Sequence, residues 1–185
     1  MIAFLGIQNL SAQDDKATVY IVRTSGAGAV INFKYFINDQ YIGKTNHGKY
    51  LKLELDPGEH IIWAASENKS FVKANLEAGQ TYVINALALA GAFKASVRLI
   101  PITEADERAL IRCKKYVSKK KLRTFTEEEI TKGQIQFANI ISKGMERYEK
   151  VLAKGNVAIL NQSVDWDNID ITKKSKKNKQ KDSRK

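Results

Sequence analysis

Asp56, Glu59 and His60 stand within five positions of one another in the stretch LELDPGEHIIWAAS, Leu53 to Ser66, and Ser66 follows six residues after the histidine. These are residue types of acyl-transfer chemistry, which needs a nucleophilic hydroxyl, an imidazole base and an orienting carboxylate in mutual hydrogen-bond reach. The spacing denies them that reach. The run from His60 reads as a strand, and six residues at ~3.3 Å each hold serine and histidine ~20 Å apart. No catalytic residue is assigned, and the chain is read as a non-enzyme. Asp39, Asp56, Glu59 and Glu77 could offer oxygens to Ca²⁺, but no loop carries regular ligand spacing. They read as solvated turn acids, with no metal and no cofactor expected. Gly26-Ala27-Gly28-Ala29 follows a strand as phosphate-binding loops do, yet a second strand pattern comes next and the Lys-Ser/Thr step is missing.

The elements that must hold these residues are short β-rich runs between Lys16 and Ile102: ATVYIV, FKYFIN, YIGK, KYLKLEL, HIIWAAS, FVKANL, TYVINALAL and KASVRLI. Runs so closely and regularly spaced predict a mainly β fold, an antiparallel β-sandwich over residues 14–102. Asp56, Pro57 and Gly58 form a structural turn, because proline presets φ and glycine accepts a positive φ. A hairpin with its loop at Asp56 to Glu59 would set Leu55 opposite His60, Leu53 opposite Ile62 and Leu51 opposite Ala64. Each connection reverses the chain, so segments 24–32, 45–48, 67–70 and 89–93 share one end and segments 38–40, 56–59 and 77–80 the other. Binding sites ride on the longer loops of a rigid scaffold. Arg23, His47, Lys69 and Phe93, at that loop end, are therefore the candidate ligand-binding set, suited to an acidic or sugar-like ligand. ALALAGAF, Ala86 to Phe93, reads as a core strand.

A helical extension is expected over residues 103–155. Thr103 to Asp106 is a capping-box start for a short helix, and Thr126 to Glu129 repeats the signal for a long one. Ile130, Phe137, Ile141, Met145, Tyr148 and Leu152 form one apolar stripe on it, interrupted by Gly133 and Gly144, and packing on the chain's own sandwich is preferred over a coiled-coil partner. Residues 156–172 could add a strand or lie across the helix. Residues 173–185, KKSKKNKQKDSRK, hold eight basic groups, one acid and no apolar residue, so a disordered basic tail is expected. Much of the formal net charge of +11 resides there, and the remainder is only mildly basic. Cys113 is the single cysteine, which excludes an internal disulfide and a multi-cysteine metal site. The start, MIAFLGIQNLSAQDDK, reads as the back half of a signal peptide, residues 1–13, cut near Gln13. No basic region precedes its apolar run, which leaves open whether Met1 is the true start. The run is also too short for a transmembrane span.

ATVYIVR, FINDQYIGKTNHGKYLKLELDPGEH, NLEAGQTYVINAL and RLIPITEADERALI together resemble, in order and spacing, the bacterial envelope family called domain of unknown function 2846. Tyr41 to His60 also resembles PEGA-type domains. The resemblance covers about Ala17 to Ile111 and implies a transthyretin-like or immunoglobulin-like sandwich, secreted into the periplasm or cell envelope. The family's lipoprotein cysteine is absent here, and the family brings no catalytic residues to transfer. The function so implied is an envelope-associated binding or scaffolding module, with anionic envelope components or another envelope protein as partners. The alternative is a cytosolic nucleic-acid-associated protein whose N-terminal run is not a signal. It would use the basic segments 114–123 and 173–185 on phosphates.

Overall fold

The computed structural model describes residues 15–26, 29–90 and 95–172. The expected signal segment, residues 1–13, and the expected basic tail, residues 173–185, lie outside these.

All eight expected runs are strands: β1 (Ala17–Val22), β2 (Phe33–Ile37), β3 (Gln40–Thr45), β4 (Lys49–Leu55), β5 (Gly58–Ala65), β6 (Lys69–Leu76), β7 (Thr81–Ala90) and β8 (Ala95–Ile102). They alternate in direction as expected, and a sandwich forms. Its sheets are mixed, however, and not antiparallel throughout. One is ordered β8-β7-β1-β4 and the other β6-β5-β2-β3, and β1 runs parallel to β7, with Thr18 opposite Thr81. The cause is that the chain crosses between sheets after β1, β3, β4 and β6, which brings two strands of one direction side by side.

The same crossing corrects the expected hairpin at Asp56. β4 pairs with β1 and β5 with β2 and β6, so Asp56 and Pro57 arch from one sheet to the other, helped by Gly58 at φ +116°. Leu51, Ile62 and Ala64 share the core between the sheets and are not ladder partners. The β2–β3 connection is a true hairpin. Its positive φ falls on Asn38, at +52°, and the Asn38 side chain accepts a hydrogen bond from the Ile61 N–H at 2.9 Å.

Beyond the sandwich come α1 (Glu107–Lys119), β9 (Lys121–Leu122), α2 (Glu127–Gln136), α3 (Ala138–Leu152) and β10 (Ala158–Leu160). The expected long helix is thus two. Phe137 leaves helical geometry at φ −105°, ψ 11°, with its ring centroid 5.1 Å from that of Tyr41, while the Phe137 N–H still bonds Gly133 O. The helix is interrupted there, and α2 and α3 both pack on the same sheet, at Tyr41 and Trp63 respectively. Thr126 and Glu129 form the expected capping box.

Alternation along the strands produces three apolar clusters. Val19, Ile21, Tyr35, Ile62 and Ile84 fill the space between sheets. Phe36, Trp63 and Phe71 point outward from one sheet and are covered by Phe137, Ile141 and Tyr148. Val22 and Val83 point outward from the other and are covered by Leu110, Cys113 and Tyr116 of α1 together with Val164 and Trp166. Helices therefore pack in cis on both outer faces. Segment 156–172 takes the first of its two alternatives and adds a strand, β10, parallel to β6; the chain then crosses to the other sheet, where Trp166 stacks on Tyr20 at 4.5 Å. Among the described residues no helix is long and apolar enough to cross a membrane.

Candidate functional site

The loop end contains two separate constellations. In the first, Arg23 leaves β1 and turns inward, 1% exposed, and donates to Ile31 O at 2.6 Å with its guanidinium 4.0 Å over the Phe33 ring. Burial pushes its pKa down. Tyr35 lies nearby, hydrogen-bonded to Thr45, and burial raises its hydroxyl to about 12. His47 packs edge-on against Tyr116 with centroids 5.8 Å apart, and the Tyr116 hydroxyl accepts the Gly48 N–H at 2.8 Å. His47 also ties two loops, its own N–H donating to Ala29 O. Arg23 and His47 are thus brought together, but as parts of a semi-buried polar seam that fixes α1 and the long loop to the sandwich. Tyr116, which lies within the basic run 114–123, completes the seam.

Lys69 is elsewhere. As the first residue of β6 it faces α3 across a cleft of about 500 Å³ lined by Asn68, Lys69, Lys143, Glu146, Arg147 and Lys150. Gly144 sets the depth of this approach, because a Cβ there would run into the Trp63 ring. Asn68 is committed to structure: its amide accepts from Val97 N–H at 2.7 Å and donates to Val97 O at 2.9 Å. The remaining groups are four cations and one carboxylate. The sequence signal for Lys143, Arg147 and Lys150 was their i, i+4, i+7 spacing, which places them on one helical face. Phe93 lies outside the described residues.

At the opposite end, Asp56 is held by Lys16, whose hydrogen bond lowers the carboxyl pKa, and Glu59 pairs with Lys73 at 2.9 Å. His60 Nε2 lies 2.8 Å from Asp56 O, and a carbonyl only accepts, so Nε2 carries the proton. Its Nδ1 is buried. Ser66 sits past the far end of β5 from His60. Among the described residues no group of His, Cys, Asp and Glu could hold a metal ion. Cys113 is buried, which raises its thiol to about 12.

Residues 13–97 match the family described as Protein of unknown function (DUF2846). This segment is a DUF2846 domain. No curated protein and no solved structure gives a significant match. The DUF2846 match runs from the start of the sandwich into β8 and stops before the helices. Both constellations therefore lie on the seam between the DUF2846 domain and its extension. Arg23, His47 and Lys69 belong to the domain, whereas Tyr116, Lys143, Arg147 and Lys150 belong to the helices.

Proposed function

We propose that the chain is a non-enzymatic, envelope-associated binding or scaffolding module that uses the cleft between β6 and α3. The observation that carries this reading is that Lys69, Lys143, Arg147 and Lys150 line one cleft of a four-layer body. Charged groups left open on a well-packed frame suit recognition, and a frame whose helices already pack in cis spends none of their apolar faces on a partner. The non-enzymatic part is supported by His60, whose Nε2 proton is donated to Asp56 O, and by Asp56, which is tied to Lys16.

The envelope part rests on the family resemblance and on the signal-like start, MIAFLGIQNLSAQ. For the sandwich we favour the transthyretin-like kind of the two the resemblance implies. Immunoglobulin constant-type domains place their first, second, fifth and fourth strands in one sheet. Here β1 and β2 lie in opposite sheets.

Cell fractionation with N-terminal sequencing of the mature chain tests the location. A periplasmic or envelope protein that begins near Gln13 is expected. A cytosolic protein with Met1 in place would end the envelope reading.

A further inference from the structure

We infer that the cleft between β6 and α3 binds a linear acidic glycan, a polysaccharide with carboxylates on its repeating units, laid along α3. The inference rests on the binding role proposed above and names its ligand class.

Lys143, Arg147 and Lys150 form a row on one face of α3, ~10 Å long at 1.5 Å per residue. Lys69 faces the row from the sheet. Among the described residues none of these four cations is in an ion pair with a carboxylate, so their charges face the cleft unneutralised. Cations in a row suit a polymer that presents negative charges one after another. A compact anion takes convergent donors, as at a nest of backbone N–H groups, and the cleft is lined by side chains on a helix flank instead.

Glu146 then decides between polymers. An ionised carboxylate can only accept hydrogen bonds. Its charge repels the anions of either polymer alike, but it also accepts from hydroxyl donors, which an acidic sugar carries on every unit and the phosphate backbone of DNA lacks. No aromatic ring is among the residues lining the cleft, so the stacking platform that single-stranded nucleic acids use is missing.

The test is titration of the full chain with oligoalginate, dextran and oligothymidylate. Oligoalginate should bind, more weakly as ionic strength rises, and neutral dextran should not. Replacing Lys143, Arg147 and Lys150 by Gln together should weaken oligoalginate about tenfold, roughly twofold per cation, without moving the melting temperature. The eight basic residues of 173–185 are unchanged in this variant, so the loss reports the cleft. Glu146→Ala should weaken oligoalginate and tighten oligothymidylate. The inference is overturned if oligoalginate fails to bind at low ionic strength, if the triple variant binds as well as the parent, or if Glu146→Ala leaves or tightens oligoalginate binding. A cytosolic location would end the envelope reading and leave these results standing, and an envelope protein that ignores oligoalginate would do the reverse.

Discussion

The Gln134 side chain accepts the Tyr41 N–H at 2.7 Å and, through its own amide, donates to Asp39 O at 2.9 Å. One residue of α2 thus presents to the β3 edge the acceptor and donor that a neighbouring strand would present. Asn68 does the same for β8 through Val97. Exposed strand edges invite pairing with other chains, and these two amides each occupy part of an edge without a strand.

Gln134→Ala should therefore destabilise the fold by about 1–2 kcal/mol, the scale of losing a partner at a half-buried backbone group. It should also raise concentration-dependent association. Gln134→Glu keeps the acceptor for Tyr41 and loses the donor for Asp39, so it should cost less. Urea unfolding and light scattering read both effects.

Gly144 and Gly133 sit where helices touch aromatic rings, Trp63 and Tyr41 respectively. On an exposed helix Gly→Ala gains up to ~1 kcal/mol of propensity. Gly144→Ala should instead lose about 1–3 kcal/mol, because the methyl group forces α3 away from the sheet. A lower melting temperature with unchanged helical circular dichroism of the folded state is the expected result.

The arch at residues 56–58 should matter through its backbone. Nothing crowds the Gly58 Cα, but φ +116° is a region L-residues avoid, so Gly58→Ala should cost about 1–3 kcal/mol. His60→Ala removes one hydrogen bond to Asp56 O, and its effect on stability should be smaller. Thermal unfolding of the two variants side by side checks the order.

Stability should fall at both pH extremes, for different groups. Asp56 has its carboxyl lowered by the Lys16 hydrogen bond, and Glu129 by the Thr126 N–H of its capping box and then by Arg123. A depressed folded pKa contributes stability above the unfolded value near ~4, and that is lost as pH falls further. Tyr35 works at the other end. Burial raises it to about 12, so its contribution is intact below the unfolded value near ~10 and is lost as pH climbs from there. Asp56→Asn should flatten the acid limb and Tyr35→Phe the alkaline limb of a stability profile measured by urea unfolding.

The eight strands were legible because each is a short apolar run closed by turn residues, and their alternating direction followed from counting alone. Their neighbours were not. Whether Thr18 lies beside Thr81 depends on contacts made across the chain, and Pro57-Gly58 serves a hairpin and an arch equally well. The break at Phe137 was hidden because an apolar stripe of constant spacing does not reveal that one of its rings must reach Tyr41. At the site, Lys69 could be placed at the loop end by strand counting. Its companions Lys143, Arg147 and Lys150 could not, since only the docking of Gly144 on Trp63 brings that helical face to the sheet.

Salt extraction of the full chain from the isolated cell envelope tests most directly the claim that the β6–α3 cleft is the working surface in that compartment. The account predicts that the parent protein is retained at low ionic strength and released by salt. The chain with Lys143, Arg147 and Lys150 all replaced by Gln should already be found in the soluble fraction at low ionic strength. Retention of that variant as firm as the parent's would contradict it.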